Sequence, residues 1–368
     1  MTQSRFTDAE KLIRPDLIGL EAYEPIAPLE VLSERCGVPV DELIKLDGNE
    51  NPYGPSPRVA RALAEYPFYH IYPDPLHRMI MKQLSEYVNV DKDYIVCGSG
   101  SDELIDLTLR VLLEPGDKVI NCSPTFGMYS FSTEVCGGKV TTVPRQDAYE
   151  IDVKGIDKAV DKRTKAVFVA SPNNPTGNAT PSKVLRELLS IGTMVIIDEA
   201  YYEFHGQSMA GMVPEYPNLI VLRSFSKWAG LGGLRVGYGV FPLPIAEMIR
   251  RIKIPYNVNA AAMVAVRESL ADLDYLQANV KAIVEERERL SRLLQEHGVL
   301  RPMPSQANFI LCQVIKGNAL MIKEGLEHRG IIVRHFEKPL LSSMLRISVG
   351  KPEQTDALVA ALDRWKEQ

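Results

Sequence analysis

At 368 residues the chain is longer than one hydrophobic core usually organises, so we expect two domains. A net charge of −5 argues against a nucleic-acid surface, and no apolar run reaches the roughly 18 residues that cross a membrane. The five cysteines are odd in number and lack CxxC spacing, which disfavours a disulfide framework and a zinc site. These features predict a cytoplasmic protein with reduced thiols, no bound metal, and no membrane or nucleic-acid partner.

The chain divides by pattern into an arm and two domains. Prolines interrupt short apolar pieces throughout residues 1–45, which predicts an arm that packs on the small domain or on a partner subunit. Residues 46–257 are predicted to form a large α/β domain with a mainly parallel sheet flanked by helices, because short β-branched runs alternate with helical stretches. These runs are YIVC (94–97), KVINC (118–122), AVFVA (166–170), MVIIDEA (194–200) and LIVLRS (219–224).

Residues 258–368 are predicted to form a smaller α+β domain. A long helical segment over 259–297, as one helix or as two in line, is followed by apolar runs typical of strands. These runs are ANFILCQV (307–314), GIIVRHF (330–336) and LRISVG (345–350).

In a mainly parallel sheet, ligands bind beyond the carboxyl ends of the strands. The segment GSGSDELI (98–105) follows one predicted strand and puts a glycine turn directly before a helix. The free backbone N–H groups and the dipole of such a helix favour a phosphate. Two other interpretations stay open: a dinucleotide fingerprint, which Glu103 at the third glycine position disfavours, and a turn without a ligand.

Polar residues also follow the next strands. SPNNPTG (171–177) is a rigid turn in which Asn174 can offer a neutral amide donor, although a purely structural turn has the same pattern. Asp198 ends an apolar strand, where a carboxylate needs a cation or a donor; a helix cap or a salt bridge is the alternative. Tyr201 comes three residues later and can serve the same site.

The segment SFSKWAGLGGLRVGYG (224–239) sets Lys227 among glycines and apolar residues. Such surroundings disfavour the charged amine, so we expect a lowered pKa and Schiff-base chemistry with a carbonyl. Ser224, Ser226 and Arg235 can hold an anion beside it. A phosphate cradle, a buried acid, neutral donors and an activated amine together fit pyridoxal 5′-phosphate (PLP).

SPNNPTG, DEAY (198–201) and SFSK…GLRVGYG, in this order and spacing, resemble the fold-type-I aminotransferases of class I/II. The resemblance runs from about residue 14 to the end of the chain. Other motifs resemble the histidinol-phosphate aminotransferase subfamily: NENPYGPS (49–56), YPDP (72–75), GSGSDELI, SPTFGMY (123–129) and LRISVG. The fold implied is a large PLP-binding domain, a smaller C-terminal α+β domain and an N-terminal arm.

The resemblance implies roles around the cofactor ring. Lys227 would be the catalytic residue that holds the cofactor as a Schiff base, and Asp198 would pair with the pyridine nitrogen. Asn174 and Tyr201 would donate hydrogen bonds to the 3′ oxygen of the ring. Phe126 occupies the position at which the family stacks an aromatic side chain on the ring.

The resemblance also implies a shared active site in a homodimer. The cofactor phosphate would be held by backbone or side chains of Ser101, Asp102, Ser224, Ser226 and Arg235. Tyr72 matches a tyrosine that reaches the cofactor phosphate of the partner subunit. Substrate contacts are implied for Tyr23 on the arm, Asn49, Arg334 and Arg346, the last as the arginine that takes the substrate's anion.

The predicted reaction is a ping-pong transamination, in which histidinol phosphate gives its amino group to 2-oxoglutarate in histidine biosynthesis. Three alternatives remain at this level. An aromatic or broad-specificity aminotransferase has the same scaffold, and a lyase similar to threonine-phosphate decarboxylase also binds a phosphate with arginines. A nucleotide-binding oxidoreductase or a non-catalytic binding module belongs to a different class.

Overall fold

The structure is a computed structural model that describes residues 8–338 and 340–366. The described residues contain twelve strands, which are in chain order β1 Ile44–Leu46, β2 Ile95–Gly98, β3 Lys118–Asn121, β4 Lys139–Thr142, β5 Thr164–Ala170, β6 Met194–Asp198, β7 Leu219–Ser224, β8 Gly237–Val240, β9 Leu300–Pro302, β10 Phe309–Val314, β11 Ile331–His335 and β12 Met344–Ser348. The same ranges contain twelve α-helices, which are α1 Leu29–Cys36, α2 Pro57–Glu65, α3 Arg78–Val88, α4 Gly100–Leu112, α5 Met128–Val135, α6 Val153–Ala159, α7 Ser182–Leu189, α8 Leu243–Ile252, α9 Ala260–Leu270, α10 Leu273–His297, α11 Ala319–Glu327 and α12 Pro352–Ala361.

Seven strands form the larger sheet, in the order β2-β8-β7-β6-β5-β3-β4. All neighbouring pairs are parallel except those that β8 makes with β2 and β7. The prediction of a mainly parallel sheet is therefore confirmed. Every strand predicted in the large domain is present, with bounds shifted by a few residues.

Alternate residues of the central strands feed two separate cores, one on each face of the larger sheet. On β5, Val167 and Val169 join one apolar cluster, whereas Ala166 and Phe168 join the other. Helices cover both faces, which is why these strands read as continuous apolar runs instead of alternating ones.

The smaller sheet has the strand order β1-β11-β12-β10-β9. Its core includes Leu46 of β1, so the end of the predicted arm pairs with a strand from the C-terminal part of the chain. A smaller α+β unit near the C-terminus is thus confirmed as part of the fold. Among the residues described, no helix is both long and apolar enough to cross a membrane.

The two cores share one long helix. Leu276 and Ile283 of α10 pack in the core of the larger sheet, whereas Leu290 and Leu294 pack in the core of the smaller one. Helix α9 also packs with the larger sheet's core, against α2 and α3. The domain bounds at 45/46 and 257/258 stay predictions, because the chain passes between the two cores without a break.

Candidate active site

The register of the larger sheet brings the predicted site residues together. Ala170 at the end of β5 pairs with Asp198, and Asp198 pairs with Leu222 on β7. The segments that follow these three strands therefore leave the sheet at one edge. They carry Asn174, Tyr201 and Lys227.

Asp198 is a buried carboxylate, only 5% exposed. Its two oxygens accept hydrogen bonds from the Tyr129 hydroxyl at 2.6 Å and from the Ala200 backbone N–H at 3.0 Å. Burial raises the pKa of Asp198 to about 6, although the bond from Tyr129 opposes this shift. A carboxylate held in this way gains from a cationic partner, which a protonated pyridine nitrogen provides.

Lys227 lies on the segment after β7, the strand next to the one that ends at Asp198. Its Nζ donates a hydrogen bond to the Gly48 backbone oxygen at 3.0 Å. Burial lowers the pKa of Lys227 to about 8, and the Glu50 carboxylate partly opposes the effect. The sequence-based expectation of a lowered pKa agrees with this environment, and an amine of this kind is a usable nucleophile near neutral pH.

Arg346 on β12 extends from the smaller sheet into the same site and is 6% exposed. One guanidinium nitrogen donates to Oδ1 of Asn174 at 2.6 Å, and another donates to the Asp47 backbone oxygen. Its buried Nε has no hydrogen-bond partner among the residues described. The fork is thus held in place with a donor unused, which suits an incoming anion.

The Tyr201 hydroxyl is positioned by Asn49. The Asn49 amide donates to that hydroxyl at 3.0 Å, and its Oδ1 accepts from the Ser348 hydroxyl at 3.0 Å. Burial raises the pKa of Tyr201 to about 12, so the hydroxyl stays protonated and can donate. Both ends of the Asn49 side chain are used within the protein, which makes it a residue that holds Tyr201 as well as a candidate substrate contact.

The glycine turn before α4 is the segment predicted to hold a phosphate. Arg235 donates to the Asp102 carboxylate at 2.9 Å, beside the backbone of Ser101. A Cβ added at Gly237 would lie 2.7 Å from the Ser101 backbone nitrogen, so only glycine lets β8 approach the helix this closely. Ser224 and Ser226, at the end of β7 and just beyond it, are buried, and the Ser224 hydroxyl accepts from the Ser226 N–H at 3.1 Å.

The N-terminal arm reaches the site within the same chain. The ring of Tyr23 meets that of Phe126 edge to face, with centroids 6.1 Å apart. Phe126 in turn meets Tyr129 edge to face at 5.6 Å. Arg334 on β11 pairs with the Glu24 carboxylate at 3.3 Å, so the arm also covers the second predicted anion contact.

Tyr72 is the predicted residue that the structure leaves outside this chain's own site. It is 80% exposed and stacks on Tyr256 with ring centroids 4.7 Å apart. Other exposed apolar side chains lie close to this pair in the sequence: Phe68, Tyr69, Ile71, Leu76, Met79 and Ile254.

Two contacts in the site were missed by the sequence analysis. Tyr129 stacks on Phe168 at 4.7 Å and bonds Asp198, yet its motif SPTFGMY suggested only Phe126 as a ring contact. The second is the Gly48 backbone oxygen that accepts from Lys227. The position of Tyr129 within a quoted motif was a signal that could have been used, whereas a backbone acceptor leaves no mark on the sequence.

Comparison with known proteins connects this geometry to a family. Residues 41–362 match the family described as aminotransferase class I and II. The chain is 49% identical over 360 residues to a histidinol-phosphate aminotransferase of Dehalococcoides mccartyi, covering 98% of this chain and 99% of the relative. It is 47% identical over 367 residues to the chloroplastic histidinol-phosphate aminotransferase of Nicotiana tabacum, covering 99% and 89% respectively.

A solved structure is similar over almost the whole length. The histidinol-phosphate aminotransferase of Sinorhizobium meliloti, crystallised in complex with pyridoxal-5′-phosphate, superposes with a TM-score of 0.87 at 27% sequence identity. The superposition covers 99% of this chain and 98% of the other.

Proposed function

The chain belongs to the class I and II aminotransferases, and from that premise we propose that it is a PLP-dependent enzyme that transfers the amino group of histidinol phosphate to 2-oxoglutarate. The products are imidazole acetol phosphate and glutamate, in histidine biosynthesis. The names of relatives that match over nearly the full chain support this substrate, in bacteria and in plants. The observation that carries the proposal is the arrangement of a desolvated Lys227 amine, a buried Asp198 carboxylate and the unused donor of Arg346 at one edge of the sheet.

The residues present fit the cofactor. The buried carboxylate of Asp198 has no cationic partner among the described residues, and a pyridinium nitrogen supplies one. The glycines at 100 and 237 keep the start of α4 open to a phosphate, since a Cβ at either position would meet Arg235 or the Ser101 nitrogen. When bound, PLP supplies an aldehyde that exchanges amines and a ring that accepts the electron pair of a broken Cα–H bond.

Four residues of the chain would have separate roles around the cofactor. Lys227 would hold the aldehyde through its Nζ, and the same Nζ, when neutral, would be the base for the proton on the substrate Cα. Asp198 would hold the ring nitrogen in its protonated form through its charge. Tyr201 donates from a hydroxyl that stays protonated, and Asn174 donates from its amide nitrogen, because its oxygen is occupied by Arg346.

Substrate recognition rests on two arginines. Arg346 meets an anionic group with a rigid fork, whichever of carboxylate or phosphate the substrate presents. Arg334 on β11 is the direct register partner of Arg346 across the β11–β12 ladder, and its bond to Glu24 is exchangeable for a substrate anion. Tyr23 and Phe126 add an aromatic wall suited to an imidazole ring.

The test is a substrate panel with the purified enzyme. We expect kcat/KM for histidinol phosphate to exceed that for phenylalanine, and we expect no carbon dioxide from phosphothreonine. Preference for phenylalanine would support the broad-specificity aminotransferase, and decarboxylation would support the lyase.

Lys227→Ala serves as the negative control for this panel. The variant should lose turnover and the near-ultraviolet absorbance that borohydride bleaches, because no other amine replaces Nζ. An enzyme that is colourless yet fully active would contradict PLP chemistry and would support the nucleotide-binding oxidoreductase instead.

We also propose a homodimer with a shared active site. The stacked pair Tyr72 and Tyr256, with the exposed apolar side chains near them in the sequence, is what a partner subunit would cover, since exposed apolar surface marks association sites. Tyr72 would then reach the cofactor phosphate of the other subunit, as the family resemblance implies.

We propose the cytoplasm as the location. All five cysteines are free thiols, and three of them are buried, which suits a reducing compartment. Cell fractionation with an antibody against the native enzyme tests this placement.

A further inference from the structure

A hydrogen-bond network ties the start of α4 to the loop that follows α8. Glu103, in the first turn of α4, accepts the Ser99 backbone N–H at 2.6 Å and the Asn257 side-chain amide at 2.7 Å, both on Oε2. The first of these bonds closes the glycine turn that presents the backbone of Ser101 and Asp102. The second bond fixes that turn to a different part of the chain.

The Asn257 amide is used at both ends. Its Nδ2 also donates to the Cys97 backbone oxygen at 3.3 Å, and its Oδ1 accepts from the Lys253 ammonium at 3.0 Å. Lys253 in turn donates to the Pro75 backbone oxygen at 3.0 Å. Because every group of this amide has a partner, its orientation is determined and it can hold Glu103 in one place.

The backbone beside Asn257 is also constrained. Tyr256 has φ +61°, a conformation that bulky residues rarely adopt. Such a residue persists only where its surroundings hold it, and here the ring of Tyr72 stacks on it. The residue beside Asn257 therefore has a contact of its own outside α4.

The charge of Glu103 has no evident benefit for the anion. A carboxylate in the first turn of α4 stabilises the helix, yet it repels a phosphate bound at the same helix end. Its two hydrogen bonds instead indicate a structural role, which is to hold the glycine turn in place. We propose that Glu103 and Asn257 are positioning residues that hold the glycine turn in the conformation that binds the cofactor phosphate; this rests on the proposed function.

The test compares cofactor binding with and without the phosphate group. Dissociation constants for PLP and for pyridoxal are measured by absorbance after the holoenzyme is stripped and refilled, for wild type, Glu103→Ala, Glu103→Gln and Asn257→Asp. We expect Glu103→Ala and Asn257→Asp to weaken PLP binding by about tenfold or more, the effect of losing hydrogen bonds to a charged group. Pyridoxal binding should change by less than about twofold, and Glu103→Gln should stay near wild type because its amide oxygen can accept both bonds.

Asn218→Asp is the matched control. Asn218 also donates two bonds from Nδ2, to the Leu189 and Thr193 backbone oxygens, but at the other end of the sheet, directly before β7. It should lose stability without losing PLP affinity, so an effect of mere unfolding is recognised. Asn257→Asp keeps the side-chain shape and decides the matter if Glu103→Ala does not fold.

Each result is decisive. Tighter PLP binding by Glu103→Ala, as charge repulsion alone predicts, would overturn the proposal, as would equal weakening of PLP and pyridoxal. Failure of the wild-type protein to bind PLP at all would instead overturn the proposed function.

Discussion

At the scale of single residues, burial shifts the pKa values of the two ionisable groups of the site in opposite directions. Desolvation disfavours whichever form is charged, so it raises the pKa of Asp198 and lowers that of Lys227. The amine becomes neutral and reactive at moderate pH, while the carboxylate becomes dependent on a cationic partner. One cause, burial, thus shifts the pKa values of both groups at the proposed cofactor site.

The amine gives the first prediction. Only the neutral form of Lys227 reacts with an electrophile, so its labelling by acetic anhydride in the cofactor-free protein should rise with a midpoint near pH 8. A lysine in a free peptide, with a pKa of about 10.4, is the reference. Peptide mass spectrometry measures the labelled fraction; a midpoint equal to that of the reference peptide would show that the amine is not desolvated.

Asp198 gives the second. Its pKa is raised in the folded state, so its contribution to stability is present below the unfolded pKa and is lost as the pH rises through about 6. The cofactor-free wild type should lose up to about 3 kcal/mol of unfolding free energy between pH 4 and 7 relative to Asp198→Asn. Urea denaturation at several pH values measures this difference.

The same variant should lose activity. Without the charge opposite the ring nitrogen, turnover should fall by about a hundredfold or more while PLP remains covalently bound. Retained turnover in Asp198→Asn would contradict the assigned role of the carboxylate.

At the scale of elements, the site depends on the close approach of β8 to the start of α4. A Cβ at Gly237 would meet the Ser101 nitrogen at 2.7 Å and the Arg223 backbone oxygen at 2.8 Å. Backbone atoms cannot move aside as a flexible side chain can, so the helix start would have to shift. The proposed cradle therefore depends on a residue that lies on a strand.

The third prediction follows from that contact. Gly237→Ala should cost about 1–3 kcal/mol of stability through overpacking and should weaken PLP binding. Gly211→Ala is the control, since its Cβ would meet nothing within 4 Å. Thermal unfolding and cofactor titration check both variants; equal behaviour of the two would contradict the importance of this approach.

At the scale of the whole molecule, the site is assembled from both sheets and from the arm. Arg346 comes from the smaller sheet, Lys227 from the segment after the larger sheet's β7, and Tyr23 from the arm. The proposed dimer would add Tyr72 from the partner. Activity should then depend on association.

The fourth prediction tests that dependence. Phe68→Asp places a charge among the exposed apolar side chains that we propose the partner subunit covers, so association would bury a carboxylate. The dissociation constant of the dimer should rise by at least about tenfold, and activity should be lost at low protein concentration. Met321→Asp, at an exposed apolar position on α11, is the control; sedimentation that shows the same dimer for both variants would contradict the proposed interface.

The sequence alone was sufficient for the buried strands that are rich in β-branched residues and for the polar residues at their ends. Val167, Ile196 and Val221 belong to β-branched runs that only a doubly covered sheet accommodates, and Asn174, Asp198 and Lys227 come directly after such runs. Four strands escaped prediction. β1 and β9 have only three residues each, β4 is an edge strand without a fully buried residue, and β8 has glycine at alternate positions with a single β-branched residue.

Only the tertiary structure decided which groups meet. Asp198 and Tyr129 are 69 positions apart in the chain, Lys227 and Gly48 are 179 apart, and Arg346 and Asn174 are 172 apart. Local pattern reports burial and turn chemistry, because these depend on neighbouring residues. Contacts over such separations depend on how two sheets and an arm pack together, and the pKa values of Asp198 and Lys227 follow from that packing.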